Sequence, residues 1–421
     1  MKKLSKLKEC TGGRALQSPK EDEIKDLRIN LIKWKSNIWK SYLIQFFMGC
    51  HLIAGVLLPF FLMWGKISFV EVMFLQSYFT VMILIFEIPC GAIADHFSRK
   101  LSLSLGTIST ALAALIYSSY PSITLFIIGE TLFAIGNSLI SGTDQAFTYD
   151  TLRKLGREQE ITKTMARSRT YMLLGIGISA PIGSIIGATL SLQLTMNLMF
   201  FPFIAATIIS ISLKEPNHDL VKEKPEKYRK IVKSGVSELI KNRILRKLAL
   251  NLVITESLVF FLIWTYQLYL EALNFNMEYF GFVVASMTLI QIIFTNLIPR
   301  LEKRYKNKKI FLQIYTIIPG IAYISMALIN LIPIGIALIL IIIGMGFSRR
   351  FIFTEGINKQ IETENRATVL SAINMIASLI RAFIYPIIGY LTMVNLGLTF
   401  ILLGAMIIIF TIFSKIKNEY L

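Results

Sequence analysis

A chain of 421 residues that is 54% hydrophobic and only 17% charged, with mean hydropathy +0.61, is too apolar for a soluble globular protein, which carries about 25% charged residues. Its formal charge of +18 would suit a nucleic-acid binder, but no basic-aromatic stripe or nucleic-acid motif accompanies the charge. The basic residues fall between apolar runs, where membrane topology places them.

Residues 1–37 form a polar, lysine-rich tail without an apolar core or small-residue cleavage site, so no signal peptide is expected. Its last part, Glu21 to Lys35, suits a helix on a membrane surface. Membrane-length apolar segments then follow near 39–63, 69–94, 101–120, 122–148, 168–190 and 193–213. A hydrophilic stretch, 214–247, separates them from a second set near 248–271, 277–299, 309–330, 332–354, 367–391 and 394–414, and residues 416–421 form a short tail. The expectation is an all-α membrane protein of 12 transmembrane helices, as two six-helix bundles over 38–213 and 248–415. Cys10, Cys50 and Cys90 are widely spaced, with no C-x-x-C and no neighbouring His pair, and read as small apolar residues rather than a disulfide or metal set.

One set of loops carries Arg99 and Lys100, then Arg153, Lys154, Arg157 and Lys163, the 214–247 linker, Arg300 to Lys309, and Lys359 with Arg366. The opposite set carries Lys66. This bias predicts that both termini are cytoplasmic in a multi-pass protein of the cell membrane. Within the linker, apolar residues from Ile231 to Leu245 recur among lysines and arginines, which suits an amphipathic helix on the inner leaflet or a plain tether.

The first apolar hairpin reads Phe86-Glu87-Ile88-Pro89-Cys90-Gly91-Ala92-Ile93-Ala94-Asp95-His96-Phe97-Ser98-Arg99-Lys100. Its G-x-x-x-D-[basic]-x-[small]-R-K pattern resembles the loop between helices 2 and 3 of the major facilitator superfamily of secondary transporters, with His96 and Ser98 departing from the usual residues. Ser141-Gly142-Thr143-Asp144-Gln145-Ala146 through Tyr149-Asp150 resembles a segment that closes helix 4 in many prokaryotic efflux-type members. Arg366-Ala367-Thr368-Val369-Leu370-Ser371 is similar to the opening of helix 11. Gly175, Gly177, Pro181, Gly183 and Gly187 partly match a glycine-proline run of antiporters, and Glu302-Lys303-Arg304-Tyr305-Lys306 is a degenerate second copy of the hairpin. The resemblance implies transport by alternating access, with a small-molecule substrate, a proton as coupling ion, lipid as surroundings, a monomer, and no cofactor.

Asp95 at a helix end gains from facing the positive start of another helix, and the resemblance places Arg366 at such a start. Arg99 would then pair with Asp144 or Asp150, so that Gly91, Asp95, Arg99, Lys100, Asp144, Asp150 and Arg366 latch the cytoplasmic side. Alternatively, Asp95 and Arg99 only fix a tight turn. Glu87 shares a helical face with Gln76, Thr80 and Gly91 and is either structural or a proton carrier.

Charges deeper in the membrane are expensive and therefore functional candidates. Helix 4 aligns Glu130, Asn137, Ser141, Asp144 and Thr148, and helix 11 aligns Ser371, Asn374, Ser378, Arg381 and Tyr385. Glu130 and Arg381 lie at similar depth, so the two can pair in one state of the transporter, with Glu256 as the alternate acid. His51 could titrate near neutral pH or serve as a packing residue. Trp264, with Phe260 and Phe261, marks an aromatic wall for a hydrophobic or cationic substrate. No G-x-x-x-x-G-K-[ST], H-E-x-x-H or G-x-S-x-G sequence suggests an enzyme or direct ATP drive. The readings left are a proton-coupled exporter of amphipathic compounds, an importer or facilitator of a polar metabolite with Arg381 as anion receptor, and a transport-inactive receptor on the same fold.

Overall fold

The computed structural model describes residues 21–216, 234–304, 307–361, 366–414 and 416–420. Expectations resting on residues 1–20, on 217–233 of the linker and on Tyr305 and Lys306 lie outside the described residues, as does the side chain of Asp95. Among the described residues, 11 helices are long and apolar enough to cross a membrane, and a pair bent by 66° supplies one more.

The first half comprises α1 (Glu21–Gly49), continued after a break by Leu57–Trp64, then α2 (Phe69–His96), α3 (Arg99–Ser119), α4 (Ile123–Lys154), α5 (Glu158–Thr189) and α6 (Leu192–Ile211). The second comprises α7 (Arg243–Ala272), α8 (Phe280–Arg304), α9 (Lys308–Leu328), α10 (Ile332–Lys359), α11 (Arg366–Val394) and α12 (Leu396–Phe413). Within the halves α3 packs on α4 and α6, and α9 on α10 and α12; between them α2 packs on α11 and α5 on α8.

The breaks follow from local chemistry. Ser68 and Glu71 form a reciprocal capping box that starts α2, and the Asn242, Asn307 and Asn395 side chains cap α7, α9 and α12. In α4 the helix stops at Ile140 and restarts at Thr143, because Gly142 adopts φ +74°, a left-handed conformation that glycine takes without a Cβ clash. In α1, Cys50 and His51 leave the helix, and backbone groups freed inside a membrane must find partners. They find them on α7. Gln267 Nε2 and the Tyr266 hydroxyl donate to the Ala54 carbonyl (3.0 and 3.2 Å), and Leu58 N–H donates to Gln267 Oε1 at 2.8 Å.

Both described ends of the linker are held by the bundles. Glu215 accepts from Ser98 Oγ (2.8 Å) and from the N–H groups of Arg99 (3.2 Å) and Lys100 (2.8 Å), so a carboxylate closes the positive start of α3. Residues 234–241 are helical but pack inward, with Leu239 buried and Gly235 against Thr368 and Ala372 of α11. An apolar side chain with a protein groove available gains nothing more by turning to lipid, so Leu239 packs on the protein while the neighbouring Ile240 stays exposed.

Candidate functional site

The two halves touch at the end away from the basic loops. Besides the α1–α7 bonds, Ser77 Oγ of α2 donates to the Ala382 carbonyl of α11 at 2.7 Å, and Ser184 Oγ of α5 donates to the Glu278 carbonyl at 2.8 Å. Gly281 lies so close to α5 that an added Cβ would stand 2.0 Å from the Ala180 carbonyl oxygen. Toward the basic end the same helices separate. A Cβ on Gly91 would meet nothing within 4 Å, and Asn137 on α4 and Ser371 and Asn374 on α11 are exposed although they sit on inward polar stripes. The cavity therefore opens at the basic end and is shut at the Lys66 end.

Polar side chains occupy both walls. On the wall of the first half, Glu130 is only 5% exposed and accepts from Gln76 Nε2 at 2.8 Å. The buried Tyr117 hydroxyl lies beside its carboxylate without forming a well-aligned hydrogen bond. Glu87 is half-buried on α2 and bonds to no described residue. On the opposite wall, Arg350 Nη1 of α10 pairs with Glu256 of α7 at 3.1 Å, and Arg350 Nη2 donates to Asn374 Oδ1 of α11 at 2.5 Å. Arg349 is buried and donates Nη2 to Asn251 Oδ1 at 2.7 Å, while its Nε and Nη1 have no partner.

Several expectations meet a different geometry. Glu130 and Arg381 are not paired. Arg381 lies over the Phe260 ring, 5.3 Å from its centroid, and donates to Ser378 Oγ at 3.2 Å, while Glu130 keeps Gln76. Tyr385, one turn along α11, stands within electrostatic reach of both charges. Trp264 is only 8% exposed and packs edge-on against Tyr385 at 6.3 Å, so it belongs to the shut end rather than to an open aromatic wall. His51 packs edge-on against Phe203 at 5.6 Å beside the α1 break, and no carboxylate is among its described partners.

The hairpin resolves one alternative. Arg99 pairs with Asp150 and also donates to the Ala146 carbonyl at 2.8 Å, whereas Asp144 accepts from Gln45 Nε2 of α1 at 3.1 Å and from its neighbour Gln145 N–H. Asp150 and Ala146 lie in the first half, and the Arg99–Asp150 pair is made while the basic end is open. A contact made within one half in the open state does not by itself hold the two halves together there. Arg366 is exposed at the start of α11, and Lys100 is tied by its N–H to Glu215.

Sequence reasoning missed Arg349, Arg350, Gln267 and Glu215. The arginines lay near the end expected at residue 354, where a charge reads as interfacial; α10 runs on to Lys359 and carries them inside. Gln76 was placed on the face of Glu87, but it serves Glu130.

Two bundles of membrane-length helices around a polar cavity, open at one end and sealed at the other by contacts between the halves, define a multi-pass membrane transporter. The sequence agrees: the model of the Major Facilitator Superfamily matches residues 41–383. The chain belongs to that superfamily. It is 21% identical over 388 residues to YxaM of Bacillus subtilis (strain 168), described as an uncharacterized MFS-type transporter, covering 87% of this chain and 94% of that protein. Among solved structures, the nucleoside transporter NupG superposes with TM-score 0.73 at 13% identity, covering 92% of this chain and 98% of the other. A POT family transporter in complex with 5-aminolevulinic acid gives 0.69 at 15% identity (90% and 95% covered), and a D-xylose-proton symporter 0.67 at 12% (93% and 99%). These likenesses extend to the fold.

Proposed function

We propose that the chain is a proton-coupled secondary transporter of a small molecule that works by alternating access, with Glu130 as the proton site and export as its working direction. The observation that carries proton coupling is the setting of Glu130. It is a carboxyl group in the middle of a membrane protein, buried, bonded to an amide and facing a phenol, with no cation paired to it. Such a group costs several kcal/mol as a bare anion and far less with a proton on it, so a conformational change that admits water also exchanges a proton. Arg381, which like Glu130 acts electrostatically on Tyr385, is the candidate to receive the anion in another conformation. Both termini then lie in the cytoplasm of a cell-membrane monomer, and the state described is open to the cytoplasm.

Export rests on the resemblance of the α5 glycine-proline run to that of antiporters. Import of a polar metabolite is the second reading, favoured by the separation of the basic wall from Glu130, which lets substrate and proton bind together. Everted vesicles containing a pH-sensitive dye decide between them. A substrate added outside an antiporter releases trapped protons and restores the dye signal; with a symporter it carries further protons inward. Glu130→Gln is expected to lose at least about 90% of either response, a tenfold loss that corresponds to about 1.4 kcal/mol of coupling, while keeping substrate counterflow. A full pH response from this variant moves the proton site to Glu256 or Glu87.

A further inference from the structure

The second half carries more positive charge in the membrane than it neutralises. Arg349, Arg350 and Arg381 all lie within electrostatic reach of Glu256. Three guanidinium groups thus share one carboxylate, an excess of two positive charges in a medium where each unbalanced charge is expensive. The arrangement is also unequal. Arg350 holds Glu256 and Asn374 and is 43% exposed to the cavity, whereas Arg349, 1% exposed, keeps two buried nitrogens with nothing to bond. Buried donors of this kind are rare and mark an unfinished network.

We propose that Arg350 and Arg381 seat an anionic group, a carboxylate or phosphate, of the transported molecule. Glu256 is a resident stand-in for that group and shifts to Arg349 when the substrate arrives. Arg349 and Arg350 are consecutive on α10, so their side chains leave the helix about 100° apart. Glu256 is paired with one and within reach of the other, and so sits at the boundary between them. Asn374 fixes one edge of the Arg350 guanidinium, and the edge now facing Glu256 is the one that a planar anion can take in a two-pronged contact. Arg381 is steadied over Phe260, and its described donor contact is the neutral Ser378 hydroxyl. The freed Glu256 carboxylate then completes the Arg349 donors, so substrate entry repairs a defect present in the empty state. The substrate need not be apolar or cationic, contrary to what the aromatic residues alone suggest.

This inference rests on the transporter reading but not on proton coupling. Binding is measured on the purified full-length protein in detergent at constant ionic strength, by its thermal unfolding midpoint. The probes are matched pairs: gluconate and sorbitol, succinate and succinamide, AMP and adenosine, with inorganic phosphate against chloride. At least one anion is expected to stabilise the wild-type protein where its uncharged twin does not. Arg350→Gln is expected to weaken that anion about 10- to 100-fold, and Arg381→Gln about tenfold. Glu256→Gln removes the competitor and is expected to tighten the anion several-fold. Should Arg350→Gln fail to fold, Arg350→Lys keeps the charge without the planar fork and still weakens binding several-fold. The proposal is overturned if no anion exceeds its twin on the wild type, or if the arginine variants bind as the wild type does. Weaker anion binding by Glu256→Gln overturns the stand-in role. No pH gradient is involved, so failure here leaves the vesicle experiment with Glu130→Gln standing, and the reverse.

Discussion

At the scale of single residues, the hairpin between α2 and α3 shows how a motif can leave two partners open until the fold chooses between them. The sequence holds Arg99 and two acids within reach, Asp144 and Asp150, but does not show which way the second part of α4 turns after Gly142. The restart at Thr143 puts Asp144 in a first turn, where its carboxylate caps backbone and meets Gln45, and leaves Asp150 two turns on for Arg99. With side chains 12% and 13% exposed, Arg99 and Asp150 form a largely desolvated pair. Arg99→Ala removes the ion pair and the bond to the Ala146 carbonyl and is expected to cost about 2–3 kcal/mol of stability. Asp150→Asn retains an acceptor for Arg99 and is expected to cost about 1 kcal/mol. Thermal unfolding of the purified variants checks the order; equal and negligible losses would show the pair to be idle.

At the scale of elements, the segments were legible and their interruptions were not. Apolar runs of about 20 residues delimit membrane helices because lipid demands them, and the expected 39–63 run contains the whole of the α1 break. Hydropathy is blind to that break, since Cys50 and His51 interrupt the backbone without interrupting the apolar character. It is also blind to the α5 glycines, whose function is distance. A Cβ on Gly183 would lie 1.7 Å from the Leu52 carbonyl oxygen, at the place where α1 restarts. Gly183→Ala is therefore expected to push α5 from α1 and to lower the yield of folded protein, measured by size-exclusion chromatography. Gly177→Ala, on the same run with nothing within 4 Å of its Cβ, is expected to be neutral. The glycine pattern that resembles an antiporter motif is thus at least partly a packing surface, on the α1 side at Gly175 and Gly183 and on the α8 side at Ala180.

Candidate site residues fared unevenly for a related reason. Polar stripes on α4 and α11 could be counted off at three- and four-residue intervals, and along them Asn137 and Asn374 are exposed, Arg381 is half-buried and Glu130 is buried. Pairings across that space depend on the conformation adopted, which a single stripe does not encode. Glu130 and Arg381 share a depth, yet each is satisfied on its own wall, and the cross-cavity partnerships found lie at the shut end on Gln267 and Ser77.

At the scale of the whole molecule, those contacts determine which side of the cavity is closed. Gln267 is 3% exposed and supplies both a donor and an acceptor to the interrupted α1 backbone. Replacing it by Leu leaves the Leu58 N–H unsatisfied in the closed arrangement only, a penalty of about 1–3 kcal/mol, and leaves the Ala54 carbonyl with the Tyr266 hydroxyl alone. Since the open arrangement lets water reach both groups, the variant is expected to shift toward opening at the Lys66 end. Conversely, a disulfide joining Cys at Ser77 and Ala382, in a background without Cys10, Cys50 and Cys90, is expected to hold that end shut and abolish transport. An accessibility experiment reads both shifts. A Cys at Lys66 is expected to react with an impermeant thiol reagent outside intact cells, and a Cys at Lys417 only in everted vesicles. A Cys at Asn374 follows Lys417 in the wild-type arrangement, keeps that behaviour when the disulfide is closed, and becomes reactive from outside in the Gln267→Leu background. Reaction of Asn374→Cys from the outside in the disulfide-locked protein, with Lys66→Cys still labelled from outside, would mean that the cavity opens toward the Lys66 side and would reverse the gate.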